Sequence, residues 1–411
     1  MELNCVVVGA SHAAAQLAVS LRQMGWEGAI TVLSDEYSLP YHRPPLSKDF
    51  LSGGKKRDDI LIRPASAYEQ ARVRFGIGVR VASIDRPGKR VIMDDGQAVS
   101  YTKLVMATGS RARILPVPGA ELPGVFYLRS IRDVEKIKGF MGVGKRAVII
   151  GGGYIGLETA ASLNQLGMNV TVLEAMDRVL QRVTTKEIST FFSRVHNEEG
   201  VSIVTQAGVT RIEGNETVEK VVCSDGQEYD ADLVVVGIGI VPATELAQNA
   251  GLEVDNGIRV NELAQTSDPD ILAAGDCTSH FNPVYDRHIR LESVQNATDQ
   301  AKVAAATICG KPKAYNALPW FWSDQYDIKL QIAGLNEGFD QVVIRGDIAS
   351  SRSFSAFYMR SGKVLAVDAI NRPGEFMWGK KLILSKAEVE VARLIDESIP
   401  LKELMMQASA T

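Results

Sequence analysis

Residues 146–158 read RAVIIGGGYIGLE. The apolar run over 146–150 predicts a buried strand, and the glycine-rich turn after it opens a helix. Gly151 permits the tight turn, Gly153 lets a pyrophosphate approach backbone amides at the helix N-terminus, and Gly156 lets helix and strand pack closely. Strand, turn and helix in this order predict a dinucleotide-binding unit.

The end of the next strand indicates which dinucleotide this unit binds. A strand is predicted over 169–173, and Glu174 follows it directly. A carboxylate at this position accepts hydrogen bonds from the ribose of NADH and repels the additional phosphate of NADPH. Ala175 and Met176 offer no cation to that phosphate. We therefore expect this unit to bind NADH.

A second copy of the pattern lies at the start of the chain. A strand is predicted over 4–8, and GASHAA over residues 9–14 opens an alanine-rich helix. Serine replaces the second glycine of the motif and alanine replaces the third, so the signal is weaker. Asp35, after the next predicted strand at 29–33, is the expected acceptor for ribose hydroxyls. Taken alone, these residues also fit a buried strand on a helix without any nucleotide.

Three further apolar runs predict strands. Residues 104–109 read LVMATG and residues 233–239 read LVVVGIG. Their similarity indicates that each nucleotide fold closes with such a strand, and that the second fold is inserted in the first. The third run, DILAAGD over 270–276, ends at Asp276, whose carboxylate can accept a hydrogen bond from the ribityl chain of a flavin. A solvated aspartate at a strand end is the alternative.

Composition limits the classes of protein to consider. At 411 residues the chain exceeds the size of one hydrophobic core, so two or three domains are expected. The net charge of −4 argues against general affinity for nucleic acid. No apolar run is long enough to span a bilayer, and no leader precedes the first predicted strand, so no membrane association and a cytoplasmic location are expected.

The cysteines argue against several redox and metal sites. Cys5, Cys223, Cys277 and Cys309 lie far apart, without a CxxC pair or a zinc-ligand spacing. No cysteine stands between the first two, where disulphide-type flavin reductases and cysteine-based flavin peroxidases carry their redox thiols. We therefore expect no metal site, no structural disulphide and no thiol relay.

Several motifs resemble the FAD-dependent ferredoxin reductases of bacterial oxygenase systems, along essentially the whole chain. Besides the glycine turn and Asp276, these motifs are LPYHRPPLSK at 39–48, RLESV at 290–294, PWFWSDQY at 319–326 and NRP at 371–373. The resemblance implies a glutathione-reductase-like α/β architecture, with two Rossmann-like domains for FAD and NAD and a C-terminal α+β domain.

The implied domains follow the chain in a fixed order. The FAD domain would take residues 1–110 and 240–318, the NADH domain 111–239, and the C-terminal domain 319–411. Strand-like runs in the last part agree with this division, and they lie at 329–333, 341–345, 353–358 and 364–369.

The resemblance also implies roles for individual side chains. Arg43 and Lys48 would approach the isoalloxazine, and Glu158 would pair with Lys48 beside the reactive nitrogen of the flavin. A buried, unpaired lysine is costly, whereas a Lys–Glu pair can bond the flavin edge and stay neutral overall. Glu292 and Ser293 would meet the nicotinamide amide. The helix after Ser293, expected to run to about residue 307, would direct its positive end at the pyrimidine edge of the flavin.

The complete expected sites follow from the motifs and the resemblance together. Lys48 and Glu158 are the expected catalytic residues. The residues expected to bind FAD are Gly9, Ser11, Ala13, Ala14, Asp35, Arg43, Lys48, Val81, Ala107, Thr108, Gly109, Arg129, Gly275, Asp276, Ser293, Val294 and Trp320. The residues expected to bind NADH are Gly151, Gly153, Tyr154, Ile155, Gly156, Glu158, Glu174, Gly237, Ile238, Gly239 and Glu292.

The resemblance implies a reaction and a partner. NADH would pass a hydride to FAD, and electrons would leave singly to a small [2Fe–2S] ferredoxin that feeds a terminal oxygenase of aromatic hydrocarbon catabolism. Alternatives are an NADH oxidase and a flavoprotein similar to apoptosis-inducing factor. The expected assembly is a monomer or a weak homodimer.

The expected electron exit is the dimethylbenzene edge of the flavin, towards Trp320 and Trp322. Ordinary core packing is the alternative for either tryptophan. Ferredoxins of this class are acidic, so a locally basic rim is expected there. The candidate cations are Arg63, Lys313, Lys329 and Lys402.

Overall fold

The structure is a computed structural model that describes residues 2–408, and the chain divides into two units. The first unit comprises Met1–Arg43, Lys56–Arg111 and Ile240–Pro319. The second comprises Pro44–Lys55, Ala112–Gly239 and Trp320–Thr411. The short segment 44–55 thus belongs to a different unit from the residues on both sides of it. The expected three-domain boundaries stay a prediction.

The chain contains more strands than helices, and many strands follow one another directly along the sequence. The strands are β1 (Asn4–Val8), β2 (Ala29–Ser34), β3 (Val73–Ile77), β4 (Val81–Asp85), β5 (Arg90–Met93), β6 (Ala98–Ser100), β7 (Lys103–Met106), β8 (Ser110–Ala112), β9 (Val125–Tyr127), β10 (Arg146–Ile150), β11 (Asn169–Leu173), β12 (Ser202–Val204), β13 (Val209–Glu213), β14 (Lys220–Cys223), β15 (Glu228–Asp230), β16 (Leu233–Val236), β17 (Ile240–Pro242), β18 (Ile258–Val260), β19 (Ile271–Ala273), β20 (Thr278–Asn282), β21 (Arg287–Ile289), β22 (Trp320–Gln325), β23 (Ile328–Gly334), β24 (Gln341–Arg345), β25 (Phe354–Arg360) and β26 (Lys363–Ile370). The helices are α1 (His12–Gln23), α2 (Ala65–Gln70), α3 (Ile131–Lys138), α4 (Tyr154–Gln165), α5 (Lys186–Glu198), α6 (Glu245–Asn249), α7 (Val294–Ile308), α8 (Pro373–Ser385), α9 (Val391–Ile395) and α10 (Leu401–Ala408), with 3₁₀ turns at Pro44–Ser47 and Asp58–Ile60.

A parallel sheet forms the centre of the first unit. Its strand order is β19–β7–β1–β2–β3, and every neighbouring pair is parallel. Residues 5–8 of β1 are all buried, as expected where a parallel sheet is covered on both faces. Alanines of α1 and α7 pack together in the same core as this sheet, so the small side chains let the two helices approach closely. The predicted first nucleotide fold is confirmed in its strands and helix.

The second unit contains an equivalent parallel sheet around the glycine-rich stretch. Its order is β12–β11–β10–β16–β9. β16 pairs in parallel with β10, just as β7 pairs with β1 in the first unit. The two apolar runs at 104–109 and 233–239 thus supply equivalent strands in the two folds, as their similarity predicted. A three-stranded antiparallel sheet, β13–β14–β15, follows within the same unit.

The C-terminal part of the second unit is an antiparallel sheet followed by helices. The order is β22–β23–β26–β25–β24. The four predicted strands are present as β23 to β26, each within a few residues of its expected bounds. β22, which carries Trp320 and Trp322, was not predicted as a strand. Helices α8, α9 and α10 complete this part.

A buried carboxylate connects the two parts of the second unit. Asp368 of β26 has 2% of its surface exposed and accepts hydrogen bonds from Thr184 Oγ1 at 2.9 Å and Tyr358 OH at 2.5 Å. Burial raises the pKa of Asp368 to about 6, although the two hydroxyl donors act to lower it. Thr184 lies just before α5, so this one side chain ties the nucleotide-fold segment to the C-terminal sheet.

Asp368 should give the stability of the protein a pH dependence of defined sign. The pKa of Asp368 is about 6 in the folded protein, above its ordinary value of 3.8. The protonated carboxyl group therefore stabilises the folded state, and this contribution to the unfolding free energy is full below pH 3.8 and is lost as the pH rises through about 6. Asp368→Asn removes this dependence. We expect wild type to lose roughly 1 kcal/mol of unfolding free energy relative to Asp368→Asn between pH 5 and 7, measured with urea.

The control for this experiment is Asp347→Asn, at an exposed carboxylate whose pKa is lowered by hydrogen bonds from Ser350 and Ala349. Between pH 5 and 7 that group is charged in the folded and the unfolded chain, so wild type and this variant should change in parallel. A difference between wild type and Asp368→Asn that stays constant with pH would contradict the role of Asp368.

Candidate functional site

The turn between β1 and α1 can pack against the end of β7 only because Gly9 has no side chain. Gly9 has φ of +104°, and a Cβ there would lie 2.1 Å from the carbonyl oxygen of Ala107. Ser11 is the N-cap of α1, but its hydroxyl makes no capping hydrogen bond to the helix. Amides of the first helical turn are thus not satisfied by the N-cap side chain, which is the arrangement that binds anionic phosphate. Ala13 and Ala14 follow as buried residues of α1.

Arg43 lies beside this turn. Its Nε donates to Ser11 Oγ at 3.2 Å, and its guanidinium forms an ion pair with Glu36 at 2.5 Å. Tyr41 OH also donates to Glu36. Asp35, the expected ribose acceptor, is exposed at the end of β2, whereas Glu36 is engaged by Arg43 and Tyr41. The acidic pair after β2 is therefore divided between a solvent-facing carboxylate and one that fixes an arginine.

Further residues expected to bind FAD follow the strands β7 and β19 of the same unit. Ser110 Oγ donates to Asp276 Oδ2 at 2.9 Å, and Thr108 Oγ1 donates to the carbonyl oxygen of Ala243 at 2.6 Å. Gly275 Cα packs near Ala13, since a Cβ on this glycine would lie 3.7 Å from that of Ala13. Gly109 adopts a positive φ of 66° after β7. The strand ends at 107–109 and 275–276 thus belong to one edge of the parallel sheet.

The N-terminus of α7 is capped by a side chain, whereas that of α1 is not. Ser293 is its N-cap, and the Ser293 hydroxyl accepts a hydrogen bond from the Asn296 amide at 3.1 Å. Val294 is the first helical residue. Glu292 forms an ion pair with Arg290 at 2.5 Å. The capping role of Ser293 was not among the expectations, although a serine directly before a helical run is the usual signal for it.

The second glycine turn lies between β10 and α4 and is open at its tip. Gly151 has φ of +107°, and a Cβ there would lie 2.5 Å from the carbonyl oxygen of Gly237. A Cβ on Gly156 would lie 2.1 Å from the carbonyl oxygen of Gly151, so helix and strand can pack only through glycine. Gly153, the N-cap of α4, has no atom within 4 Å of a Cβ position. This cradle fits a pyrophosphate against backbone amides.

Glu174 closes the second turn from the end of β11. Its carboxylate accepts hydrogen bonds from the Gly152 amide at 2.7 Å and from the Met176 amide at 2.9 Å. After the end of β16, the carbonyl group of Gly237 and the amide of Ile238 lie close to Gly151 of the turn, and Gly239 follows them in the chain. Ile155, in the first turn of α4, is 47% exposed. Tyr154 packs its ring against Phe321 at 5.2 Å, and burial raises its pKa.

The expected pair of Lys48 and Glu158 is present in the second unit. Lys48 Nζ lies 2.6 Å from Glu158 Oε2, and Glu158 is only 3% exposed. Ser47 Oγ donates to the same oxygen at 2.6 Å, and Ser323 Oγ donates to Oε1 at 2.6 Å. Ser162 Oγ on α4 donates to the carbonyl oxygen of Ser47 at 2.7 Å, which fixes the Pro44–Ser47 turn on the helix. The carboxylate of Glu158 is thus held by three donors.

Sequence reasoning missed both serines that hold Glu158. Ser47 stands in the LPYHRPPLSK motif and Ser323 in the PWFWSDQY motif, so the resemblance marks the segments. The direction of each side chain depends on the 3₁₀ turn and on the register of β22, which nothing in the sequence defines.

The remaining expected residues are divided between the units. Val81 begins β4 and is buried, and Arg129 lies in the loop before α3. Of the residues expected to bind FAD, Lys48, Arg129 and Trp320 belong to the second unit and the others to the first. Of those expected to bind NADH, Glu292 belongs to the first unit and the others to the second.

Comparison with known proteins gives the family. Residues 3–301 match the family model described as pyridine nucleotide-disulphide oxidoreductase, and residues 320–405 match the model described as reductase C-terminal. The chain belongs to the pyridine nucleotide-disulphide oxidoreductases. This membership confirms the expected glutathione-reductase-like architecture and makes the chain an oxidoreductase.

Individual relatives of this oxidoreductase are themselves reductases. It is 45% identical to putidaredoxin reductase of Pseudomonas putida, over 99% of this chain and 98% of that protein. It is 42% identical to rhodocoxin reductase of Rhodococcus erythropolis, over 97% and 94%. The solved covalent putidaredoxin reductase–putidaredoxin complex contains a chain that matches with a TM-score of 0.96 at 44% identity, over 99% of both chains. The resemblance to ferredoxin reductases of oxygenase systems is therefore confirmed.

No helix in the part of the oxidoreductase that the structure describes combines the length and the apolarity needed to cross a bilayer.

Glu174 should determine which nicotinamide coenzyme this oxidoreductase prefers. We expect Glu174→Ala to lower the ratio of kcat/KM for NADH to that for NADPH by about 10-fold or more, since charged hydrogen bonds to a ribose contribute roughly 1.5–3 kcal/mol. Glu174→Ala also removes the hydrogen bonds to the Gly152 and Met176 amides, and the looser turn should weaken the binding of both coenzymes equally. The ratio of the two kcat/KM values therefore reports only the direct effect of the carboxylate on coenzyme choice. Steady-state kinetics with a dye acceptor measure it. Asp177→Ala, at an exposed neighbour, is the control. An unchanged ratio for Glu174→Ala would refute the assignment.

Lys48 and Glu158 should behave as one coupled unit. Removing either partner leaves the other charge poorly compensated in a buried place, so each single variant, Lys48→Met and Glu158→Gln, should slow flavin bleaching by NADH at least about 10-fold. The double variant should be less impaired than the product of the two effects. Anaerobic stopped-flow spectroscopy measures all three. Strictly multiplicative rate losses would show that the two side chains act independently.

Proposed function

We propose that the chain is an FAD-containing, NADH-dependent ferredoxin reductase that supplies single electrons to a small [2Fe–2S] ferredoxin of an oxygenase system. The observation that carries this proposal is the presence of two separate glycine turns, each between a strand and a helix, in a chain that matches a ferredoxin reductase over 99% of its length. One turn is assigned to FAD and the other to NADH. FAD, when bound, accepts a hydride from NADH and releases electrons one at a time, which is chemistry that no side chain supplies.

The first turn is assigned to FAD because it adds a fixed cation to the helix N-terminus. Arg43 is held against Ser11 by its ion pair with Glu36, so its charge stays near the place where a pyrophosphate meets α1. Asp35 and Asp276 are assigned to the ribose and the ribityl hydroxyls, respectively. These contacts support FAD that is bound tightly and without a covalent bond.

The second turn is assigned to NADH because it offers backbone amides without a fixed side-chain cation. Gly153 leaves the tip of the turn open, and the carboxylate of Glu174 stands where a ribose would lie. A bound coenzyme would hold fewer ionic contacts here than at the first turn. This difference supports a coenzyme that enters and leaves in each turnover.

Lys48 and Glu158 are proposed to tune the flavin edge. The side chain of Lys48 is 17% exposed and that of Glu158 is 3% exposed, so the pair presents a donor without a net charge. A fixed donor stabilises negative charge that develops near it and needs no reorganisation during the reaction. The N-terminus of α7, capped by Ser293, would add a second positive potential.

The thiol chemistry of an NADH oxidase or peroxidase is disfavoured by the surroundings of the cysteine nearest the N-terminus. Cys5 lies fully buried in the central strand β1, and burial raises its pKa to about 12. A thiol in that state is a poor nucleophile. A flavoprotein similar to apoptosis-inducing factor would call for a basic surface, and the net charge of −4 does not support one.

The proposed exit for electrons is the tryptophan strand β22. Trp320 and Trp322 are both partly exposed, and their ring centroids lie 5.7 Å apart. Lys380 of α8 lies over the Trp320 ring at 5.4 Å, a cation that sequence reasoning did not select. Of the candidates selected before, Lys313, Lys329 and Lys402 are exposed and Arg63 is half-buried. The proposal places the reductase in the cytoplasm, where NADH is available, as a monomer or a weak homodimer.

Salt should separate ferredoxin reduction from NADH oxidation. Exposed charges are screened over about 10 Å at moderate ionic strength, so ferredoxin reduction should slow with added salt while NADH-to-dye reduction, measured with an uncharged dye, barely changes. Arg63→Glu and Lys402→Glu should raise the apparent KM for ferredoxin about 3-fold or more and leave dye reduction unchanged. Trp322→Ala should also lower kcat with ferredoxin. Equal salt effects on both acceptors would place the docking surface elsewhere, and an absence of NADH-to-dye activity in wild type would refute the proposed function.

A further inference from the structure

A row of buried polar side chains continues from Glu158 into the interior of the second unit. Ser323 bonds Glu158, Gln325 Nε2 lies 3.2 Å from Ser323 Oγ, and Gln325 Oε1 lies 2.8 Å from His196 Nε2. The exposed fractions of Ser323, Gln325 and His196 are 1%, 2% and 0%. With Lys48 at its other end, the row joins five side chains from four parts of the sequence.

Only one direction of proton donation is consistent with all the hydrogen bonds that join neighbours in the row. The carboxylate of Glu158 accepts, so the single proton of Ser323 is donated to it and the Ser323 oxygen must accept from the amide of Gln325. The carbonyl oxygen of Gln325 is then free to accept from His196, which must carry its proton on Nε2. Reversing the amide of Gln325 would take the Ser323 proton away from Glu158 and leave a buried carboxylate oxygen without that donor.

The other nitrogen of His196 agrees with this tautomer. His196 Nδ1 is buried and has no hydrogen-bond partner within residues 2–408, so it suits a lone pair and not a proton. Burial lowers the pKa of His196, which also favours the neutral ring. The charge of Glu199 acts on His196 in the opposite sense, and Glu199 itself forms an ion pair with Arg352 at 2.9 Å.

We propose that Ser323, Gln325 and His196 are positioning residues that fix the Glu158 carboxylate, and through it the Lys48 ammonium, in the orientation used beside FAD. The proposal rests on the proposed function. Polar side chains in a core are costly unless they are hydrogen-bonded. Here each side chain donates to the next, and the direction of donation ends at the Lys48–Glu158 pair. Without the row, Glu158 could rotate towards Lys48 and Ser47 alone, and Lys48 would lose its defined position.

The test breaks the row at its far end, away from every residue assigned to a cofactor. His196→Leu removes the donor to Gln325. His196→Gln restores an N–H near the position of Nε2 and serves as the conservative rescue. Tyr326→Phe is the matched control, because the Tyr326 ring packs on His196 at 5.2 Å while its buried hydroxyl has no hydrogen-bond partner in the part of the chain described.

The measurements use the holoenzyme. We expect His196→Leu to lower the limiting rate of flavin bleaching by NADH roughly 3- to 10-fold with an unchanged KM for NADH, and to lower the midpoint potential of bound FAD. A tenfold change in that redox equilibrium would equal a shift of about 30 mV. His196→Gln should recover most of both effects, and Tyr326→Phe should change neither. In wild type, ¹⁵N NMR of the histidine rings should show the Nε2–H tautomer for His196.

The outcomes separate this inference from the proposed function. If His196→Leu binds FAD fully and melts at a lower temperature but keeps the wild-type potential and limiting rate, the row is structural only and the inference is overturned. A proton on Nδ1 of His196 would overturn it equally. Gln325→Leu provides the second variant if His196→Leu fails to fold. The proposed function fails only if wild type itself does not pass electrons from NADH to dye and ferredoxin.

Discussion

A carboxylate removed from water must have its charge matched nearby, and in this protein that constraint falls on Glu158. The side chain accepts one ionic and two hydroxyl hydrogen bonds, from Lys48, Ser47 and Ser323. These donors come from a 3₁₀ turn near the N-terminus and from a strand of the C-terminal sheet. Because the desolvated charge is tolerated only with these partners in place, one side chain of α4 sets where two distant segments of the second unit lie.

The two glycine turns have similar backbone conformations but suit nucleotides that stay bound for different times. Both use a glycine with positive φ beside a carbonyl oxygen of the returning strand. They differ at the helix N-cap, where Ser11 holds Arg43 at one turn and Gly153 leaves open space at the other. A fixed arginine adds ionic attraction to the helix dipole, whereas open backbone amides alone bind an anion more weakly. A retained flavin and an exchanging nicotinamide coenzyme fit this difference.

The sequence predicted the sheets and turns well because these depend on local pattern. The glycine motif at 151–156, the carboxylate after β11 and the apolar runs that became β7, β16 and β19 are all set by residues adjacent in the chain. The Lys48–Glu158 pair came only from resemblance, since its members stand 110 residues apart. Ser47, Ser323 and the row to His196 were not found. Their contacts depend on the direction of side chains on elements brought together by tertiary packing, and a single sequence carries no signal for that.

The arrangement of the first unit along the chain has a consequence for how the protein is made. Its central sheet takes β1, β2, β3 and β7 from the first 106 residues, but the edge strand β19 and the helix α7 that packs on α1 come after residue 270. On the ribosome, the alanine-rich face of α1 therefore stays uncovered until α7 has been synthesised. Since synthesis proceeds at about 5–20 residues per second, this face is open for roughly 15 seconds or more. The nascent chain is for that interval a natural client for chaperones that bind exposed apolar helices.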